Sequence, residues 1–133
     1  MTTTYYFATP TYNSVNPDFP AFTNLMNING SFTLTEALWS NLFDADISNK
    51  ITSWSFSDGV NQYTESNSTL SAVTVSTVVR GEAAIIYKYG FTVKQNDSTY
   101  ALICNSTTLN PAFVSKGTTT VAAITAIFSN TPP

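Results

Sequence analysis

A strict two-residue alternation in residues 51–64 constrains the fold more than any other feature of this sequence. Trp54 and Phe56 alternate there with three serines. This period puts apolar side chains on one face of a β-strand and hydroxyls on the other. Asp58-Gly59 follows and offers the positive φ angles that a tight hairpin turn demands. We therefore predict a β-hairpin with one face directed to a core.

Similar alternation recurs along the rest of the chain. It predicts an edge strand at residues 5–7, a long loop after it, and further strands at residues 30–35, 70–79, 83–94, 99–105 and 118–128. The last of these has apolar residues on both faces, as a central strand does. In the strand at 83–94, Gly90 indicates a bulge or bend. One face of that strand is predicted to hold Ile85, Tyr87, Tyr89, Phe91 and Val93.

Residues 36–43 break the two-residue period. Leu38 with Leu42, and Trp39 with Phe43, have the i, i+4 spacing of a helix. The preceding segment from Thr33 to Glu36 matches a capping box. We predict one short helix here and no other.

The length and composition suit a single domain over residues 1–133. Hydrophobic residues make up 43% of the chain, which is ample for one core. About seven or eight strands without a repeat of fixed period predict an all-β fold. An antiparallel β-sandwich and a closed β-barrel both fit the pattern.

The sequence contains no histidine. This excludes Ser-His-Asp and Cys-His nucleophiles, histidine-ligated zinc and a histidine pH switch. No glycine-rich phosphate loop occurs either. The acidic residues are interpreted as turn residues or solvated charges; they include Asp44, Asp46, Asp58, Glu65 and Glu82. We expect a non-enzymatic protein without a cofactor or a metal.

Residues 44–55 resemble a calcium-binding loop at their start only. Asp44, Asp46 and Ser48 have the alternate spacing of oxygen ligands. The loop then needs glycine at its sixth position and glutamate at its twelfth, where this chain has Asn49 and Ser55. Calcium binding is therefore not predicted.

Charged residues form only 10% of the chain, and the net charge is −3. The five basic residues are scattered, which argues against nucleic-acid binding. Serine, threonine and asparagine take the place of charged residues as polar surface residues. Such a composition is commoner in secreted, cell-surface and assembled proteins. No run of 18 apolar residues occurs, so no membrane span is predicted.

The single cysteine, Cys104, is predicted to be a buried thiol, with an intermolecular disulfide as the alternative.

Aromatic side chains are the remaining candidates for a binding function. Tyrosine and tryptophan on a sheet stack on sugars or anchor interfaces. The candidate ligand-binding residues are Trp54, Tyr63, Tyr87 and Tyr89. The alternative is that Trp54, Tyr87 and Tyr89, with other aromatics, form the core.

Two motifs resemble bacterial secreted β-domain proteins of the PEP-CTERM type. They are Gly30-Ser-Phe-Thr33 and the segment from Ile51 to Gly59, which match a "G-x-F" strand followed by an "I-x-x-W-x-F" strand. The resemblance implies export, a place in the envelope or extracellular matrix, and a structural role. The family's Val-Pro-Glu-Pro sorting signal with its anchor helix, and an export signal, do not occur here, and trimming of a mature form would account for this.

These observations favour a non-enzymatic extracellular or cell-surface β-domain that acts as a structural, adhesion or filament-type assembly subunit. Self-association by strand addition is the expected mode. The alternatives are a β-barrel that binds a small apolar ligand and a carbohydrate-binding module.

Overall fold

The structure is a computed structural model that describes residues 2–80, 83–108 and 111–125. These residues form eleven β-strands and one 3₁₀ turn at Ser48–Lys50. The strands are β1 (Thr3–Ala8), β2 (Ser14–Val15), β3 (Asn29–Leu34), β4 (Ala45–Asp46), β5 (Ile51–Ser57), β6 (Gln62–Thr64), β7 (Ser68–Arg80), β8 (Ala83–Gln95), β9 (Tyr100–Asn105), β10 (Ala112–Lys116) and β11 (Thr119–Ile124). Three of them have only two or three residues, which leaves eight longer strands.

The strands form two antiparallel sheets, so the predicted all-β class is confirmed. The smaller sheet has the order β1-β3-β5-β6, and the larger has the order β2-β11-β10-β9-β8-β7-β4. Among the described residues each sheet ends in two edge strands and neither closes on itself. The alternative of a closed barrel was therefore wrong.

Aromatic contacts join the inner faces of the two sheets in a sandwich-like arrangement. The ring of Phe91 on β8 lies 5.2 Å from the ring of Phe56 on β5, and also 5.2 Å from that of Phe7 on β1. Leu102 and Val114 complete the core from the larger sheet and are fully buried. Each such side chain stabilises the fold by about 1.5–3 kcal/mol through burial.

The predicted hairpin is present as β5 and β6, and Ser57 faces Gln62 at its end. Its turn is longer than predicted, because four residues lie between these two. Within this turn only Gly59 has a positive φ, of 99°, so the expectation of a positive φ at Asp58 was wrong. Asp58 instead accepts hydrogen bonds from the backbone N–H groups of Val60 and Asn61 and closes the turn with its carboxylate.

The predicted helix at residues 36–43 does not form. Thr33 stays in β3 and is not a helix cap. Thr77 on β7 supplies the reason, because its hydroxyl donates to the carbonyl of Trp39 and accepts from the N–H of Leu42. Its own N–H donates to the carbonyl of Leu42. The loop backbone is thus satisfied by β7, and no helical bonds are needed.

Strand β8 does not keep its apolar residues on one face. Lys88 faces Ser76 and Ile86 faces Thr77, which leaves Tyr87 as an extra residue in a bulge. The bulge reverses the alternation. Ile86 therefore packs on the core, while Tyr87 is 57% exposed.

Gly90 itself is paired regularly with Thr74 and is not bulged. A second bulge lies on the neighbouring strand, between Ser71 and Thr74. Ala72 adopts a left-handed φ of 55° there.

Near the C-terminus the sequence reading missed β10, which lies between the strands predicted at residues 99–105 and 118–128. β11 has four consecutive buried residues, as expected for a strand covered on both faces. It lies between β10 and the short β2. The predicted strand continued to residue 128, and its residues 126–128 lie outside the described part of the chain.

Cys104 is 1% exposed, which confirms the predicted buried thiol. In the described ranges no helix is long and apolar enough to cross a membrane.

Candidate functional site

The long edge of β1 is open. Within the described residues β1 pairs only with β3. The N–H of Thr9 donates to the carbonyl of Ile28 just beyond the ladder. Because bonded and non-bonded pairs alternate along an antiparallel ladder, the backbone groups of Thr4, Tyr6 and Ala8 are directed to the open side.

The edges of the larger sheet are shielded. β2 covers β11, and hydrogen bonds from Asn13 and Asn16 to the backbone of β11 extend this cover. β4 and the loop bonded to Thr77 cover β7. By contrast, β1 contains no proline and no charged residue, and these are the usual devices that keep an edge from pairing.

An apolar crevice of about 430 Å³ lies beside β1, between this strand and the ribbon of β7 and β8. The ring of Phe7 forms part of its wall and makes an edge contact of 5.0 Å with the ring of Tyr89. One apolar side chain at the crevice is exposed, that of Ile85, by 44%. The remaining lining residues are mostly apolar and include Phe32, Val73, Val75, Ile86 and Phe91.

Strand length and the bulge in β8 together create this crevice. β7 and β8 have 13 residues each, and β1 has six. The bulge at Tyr87 directs Ile86 toward the core and leaves Ile85 at the crevice mouth. A strand added along β1 would direct every second side chain toward this side of the sheet.

The chemistry of the crevice is apolar. The ionisable side chains that face it are the phenols of Tyr5 and Tyr89. Burial raises the pKa of Tyr89 above its ordinary value of 10.0, and the nearby Cys104 raises it further. The phenol of Tyr89 is therefore neutral at physiological pH, and the lining suits hydrophobic contact better than proton transfer.

The four sequence-predicted ligand residues are not brought together. Tyr89 lines the crevice, and Tyr87 lies in a separate surface depression beside Phe43. Trp54 is half-buried, and its indole N–H donates to the hydroxyl of Ser68 at 3.0 Å. Tyr63 is fully buried in the core.

Sequence reading missed Phe7 and Ile86 as lining residues of the crevice. The two-residue spacing of Tyr5 and Phe7 placed both on one face of β1, and this pattern could have indicated that Phe7 faces the interior. No local signal marked Ile86, because its inward position depends on the bulge.

Asp58 lies in the hairpin turn, as expected, but it is 0% exposed and is therefore not a solvated charge. Its Oδ2 accepts hydrogen bonds from the hydroxyl of Tyr63 at 2.7 Å and from the side-chain amide of Asn61. Its carbonyl oxygen accepts one from the hydroxyl of Tyr12, also at 2.7 Å. Donors thus surround this carboxylate, which makes it a structural anchor between the hairpin turn and the loop that carries Tyr12.

Two other acidic residues, Asp44 and Asp46, also have partners within the protein. Asp44 forms an ion pair of 2.9 Å with Lys88. Asp46 accepts a hydrogen bond from the N–H of Ser48, which lowers the pKa of this exposed carboxyl. No group of three or more potential metal ligands occurs within the part of the chain that the structure describes.

Comparison of the chain with family models, with curated proteins and with solved structures finds no match. The resemblance to PEP-CTERM-type proteins therefore remains a hypothesis based on two short motifs.

Proposed function

We propose that this protein is a non-enzymatic structural subunit that self-associates by strand addition at β1. The observation that supports the proposal is an open, uncharged, six-residue edge beside an apolar crevice. An added strand gains main-chain hydrogen bonds along the edge and apolar contacts on the crevice side.

The occupant is a second copy of the same chain, paired through its own β1. Antiparallel pairing centred on Tyr6 sets Thr4 of each copy opposite Ala8 of the other. The backbone groups of these residues are directed to the open side, so they form the new ladder. Such an interface is isologous, and it closes at two copies because each β1 is then used.

β1 itself carries no charged side chain, which is consistent with close approach of two copies. Pairing of two β1 strands therefore brings no like charges of these strands opposite each other. Burying the paired strands removes no ion of β1 from water.

Light scattering over a range of protein concentrations tests the proposal. The wild type is expected to shift from monomer toward dimer as the concentration rises. Thr4→Pro removes an edge N–H without removing a bond to β3, because proline is tolerated on the solvent side of an edge strand. It is expected to shift the equilibrium to monomer.

Thr4→Val is the matched control. It removes the hydroxyl, which contacts the Thr33 hydroxyl at 2.9 Å, but it keeps the backbone N–H. This variant is expected to dimerise like the wild type. A wild type that stays monomeric at every concentration would contradict the proposal, and so would equal effects of the two substitutions.

We also propose an extracellular or cell-surface location. A surface with few charges and many hydroxyl and amide groups supports this, as do the two motifs that resemble exported proteins. Fractionation of the source cells tests it, and recovery of the protein from the cytosol alone would contradict it.

A second candidate is the binding of a small apolar ligand in the crevice. Its volume of about 430 Å³ and its aromatic lining favour this. Native mass spectrometry of the purified protein would reveal the ligand as an added mass. Ile85→Glu at the crevice mouth would then reduce ligand binding.

A further inference from the structure

The outer face of the smaller sheet carries only uncharged side chains. Alternation along the strands puts eleven residues on this face: Thr4, Tyr6, Ala8, Asn29, Ser31, Thr33, Ser53, Ser55, Ser57, Gln62 and Thr64. Apart from Tyr6 and Ala8, all of them bear an aliphatic hydroxyl or an amide group, which makes nine of the eleven. The nearby carboxylate of Glu65 is held by the N–H of Trp54 at 3.1 Å.

A shallow groove of about 570 Å³ lies on this face. The outward side chains in its lining are those of Tyr6, Ala8, Asn29, Ser31, Ser55, Ser57 and Gln62, and the inward-facing Phe7 and Phe56 also border it. Gly30 contributes no side chain to the lining. The groove therefore offers hydroxyl and amide side chains from three adjacent strands, β3, β5 and β6, about 4.8 Å apart from strand to strand, with Tyr6 of β1 beside them.

Tyr6 is the single aromatic residue on the face, and it is 84% exposed. Its neighbour Tyr5 behaves differently, since its ring stacks on Phe32 at 5.9 Å on the inner side. A tyrosine that is so exposed beside a polar groove offers a flat apolar surface next to hydrogen-bonding groups.

We propose that this groove binds a neutral polysaccharide chain. The apolar face of a sugar ring stacks on Tyr6, and its hydroxyls exchange hydrogen bonds with the serine, asparagine and glutamine side chains. The absence of lysine and arginine among the eleven face residues favours a neutral glycan over an anionic one. The site differs from the β1 edge, because it uses outward side chains and not the unpaired backbone.

Binding to soluble β-glucan, mannan and starch, with alginate as the anionic comparison, tests the inference by affinity electrophoresis and calorimetry. At least one neutral polysaccharide is expected to bind, and alginate is not. Tyr6→Ala is expected to weaken binding about tenfold, as the loss of one aromatic contact would. Tyr6→Phe keeps the ring and is expected to retain binding.

Gln62→Ala on β6, remote from the open edge, is a second test and is expected to weaken binding severalfold. Trp39→Ala is the matched control, because Trp39 is also exposed, by 73%, but does not lie on this face. The inference is overturned if no neutral polysaccharide binds, if alginate binds equally, or if Trp39→Ala weakens binding as much as Tyr6→Ala.

The same samples separate this inference from the proposed assembly. Thr4→Pro is expected to be monomeric and still to bind the polysaccharide. Alternatively, two copies could associate through these outer faces. In that case Gln62→Ala would lose the dimer, and the wild type would bind no glycan. This result would overturn the inference.

Discussion

The phenol of Tyr63 donates a hydrogen bond of 2.7 Å to the carboxylate of Asp58, and neither side chain is exposed to solvent. Asp58 is the first residue of the hairpin turn, and Tyr63 lies five positions later, in β6. The hydroxyl of Tyr12 reaches the carbonyl oxygen of Asp58 from a loop 46 residues away. One buried aspartate thus connects the hairpin to the long N-terminal loop.

Asp58→Asn should destabilise the fold by about 1–3 kcal/mol. An asparagine side chain has one acceptor oxygen, so it cannot accept from the Val60 and Asn61 N–H groups, the Asn61 amide and the Tyr63 hydroxyl together. Urea denaturation followed by tryptophan fluorescence measures the loss. Asp18→Asn, at an exposed position, is the control and should unfold like the wild type.

Stability should fall at alkaline pH because of Tyr12 and Tyr63. Burial raises the pKa of both phenols far above the ordinary value of 10.0, and the charge of Asp58 raises them further. Below pH 10 both are protonated in the folded and unfolded states, so their contribution is complete. Above pH 10 the two phenols lose their protons in the unfolded chain but keep them in the folded protein. The free energy of unfolding should then fall by about 2.7 kcal/mol per pH unit for the two groups together.

Urea midpoints at pH 8 and in steps from about pH 10 to pH 12 measure this slope. Tyr63→Phe should make the slope shallower by about 1.4 kcal/mol per pH unit, the share of one phenol, whereas Tyr6→Phe, at an exposed position, should leave it unchanged. An unaltered slope in Tyr63→Phe would show that the buried phenols are not responsible.

Cys104 should be unreactive in the folded protein. Burial raises the pKa of its thiol to about 12, so at pH 8 the nucleophilic thiolate is scarce as well as inaccessible. Labelling with a thiol reagent should be very slow in buffer and complete in urea. Rapid labelling of the folded protein, or a dimer that is lost on reduction, would contradict this.

Thr77→Val should loosen the contact of residues 39–42 with β7, while the bond from the N–H of residue 77 to the carbonyl of Leu42 stays. The substitution keeps the side-chain shape but removes the hydroxyl that donates to Trp39 and accepts from Leu42. We expect a loss of about 1–3 kcal/mol and faster hydrogen exchange at the Leu42 amide. Thr92→Val on β8, at a half-buried position, should change neither quantity.

The sequence was informative wherever a strand could be recognised from its own residues. The alternation around Phe32 and around Trp54 and Phe56 correctly predicted β3 and β5, and the apolar faces were assigned correctly. A period of two is a local property, since it reflects only which side chains must share one face of a strand.

The sequence misled us where distant residues supply the deciding contacts. Residues 36–43 have helical spacing, but Thr77 takes over their backbone hydrogen bonds from another strand. The regular spacing in β8 hides a bulge, because the extra residue is defined only by the register with β7. Pairing registers are relations between strands, so they leave no local signal.

By itself the sequence determined the all-β class, the absence of histidine chemistry, the main hairpin and the buried thiol. Only the tertiary structure decided that the sheets stay open, that Asp58 is enclosed by donors, and that β1 lies at an edge beside an apolar crevice. The physical reason is that alternation specifies which face of a strand is buried, whereas strand order and edges depend on contacts between residues far apart in the chain.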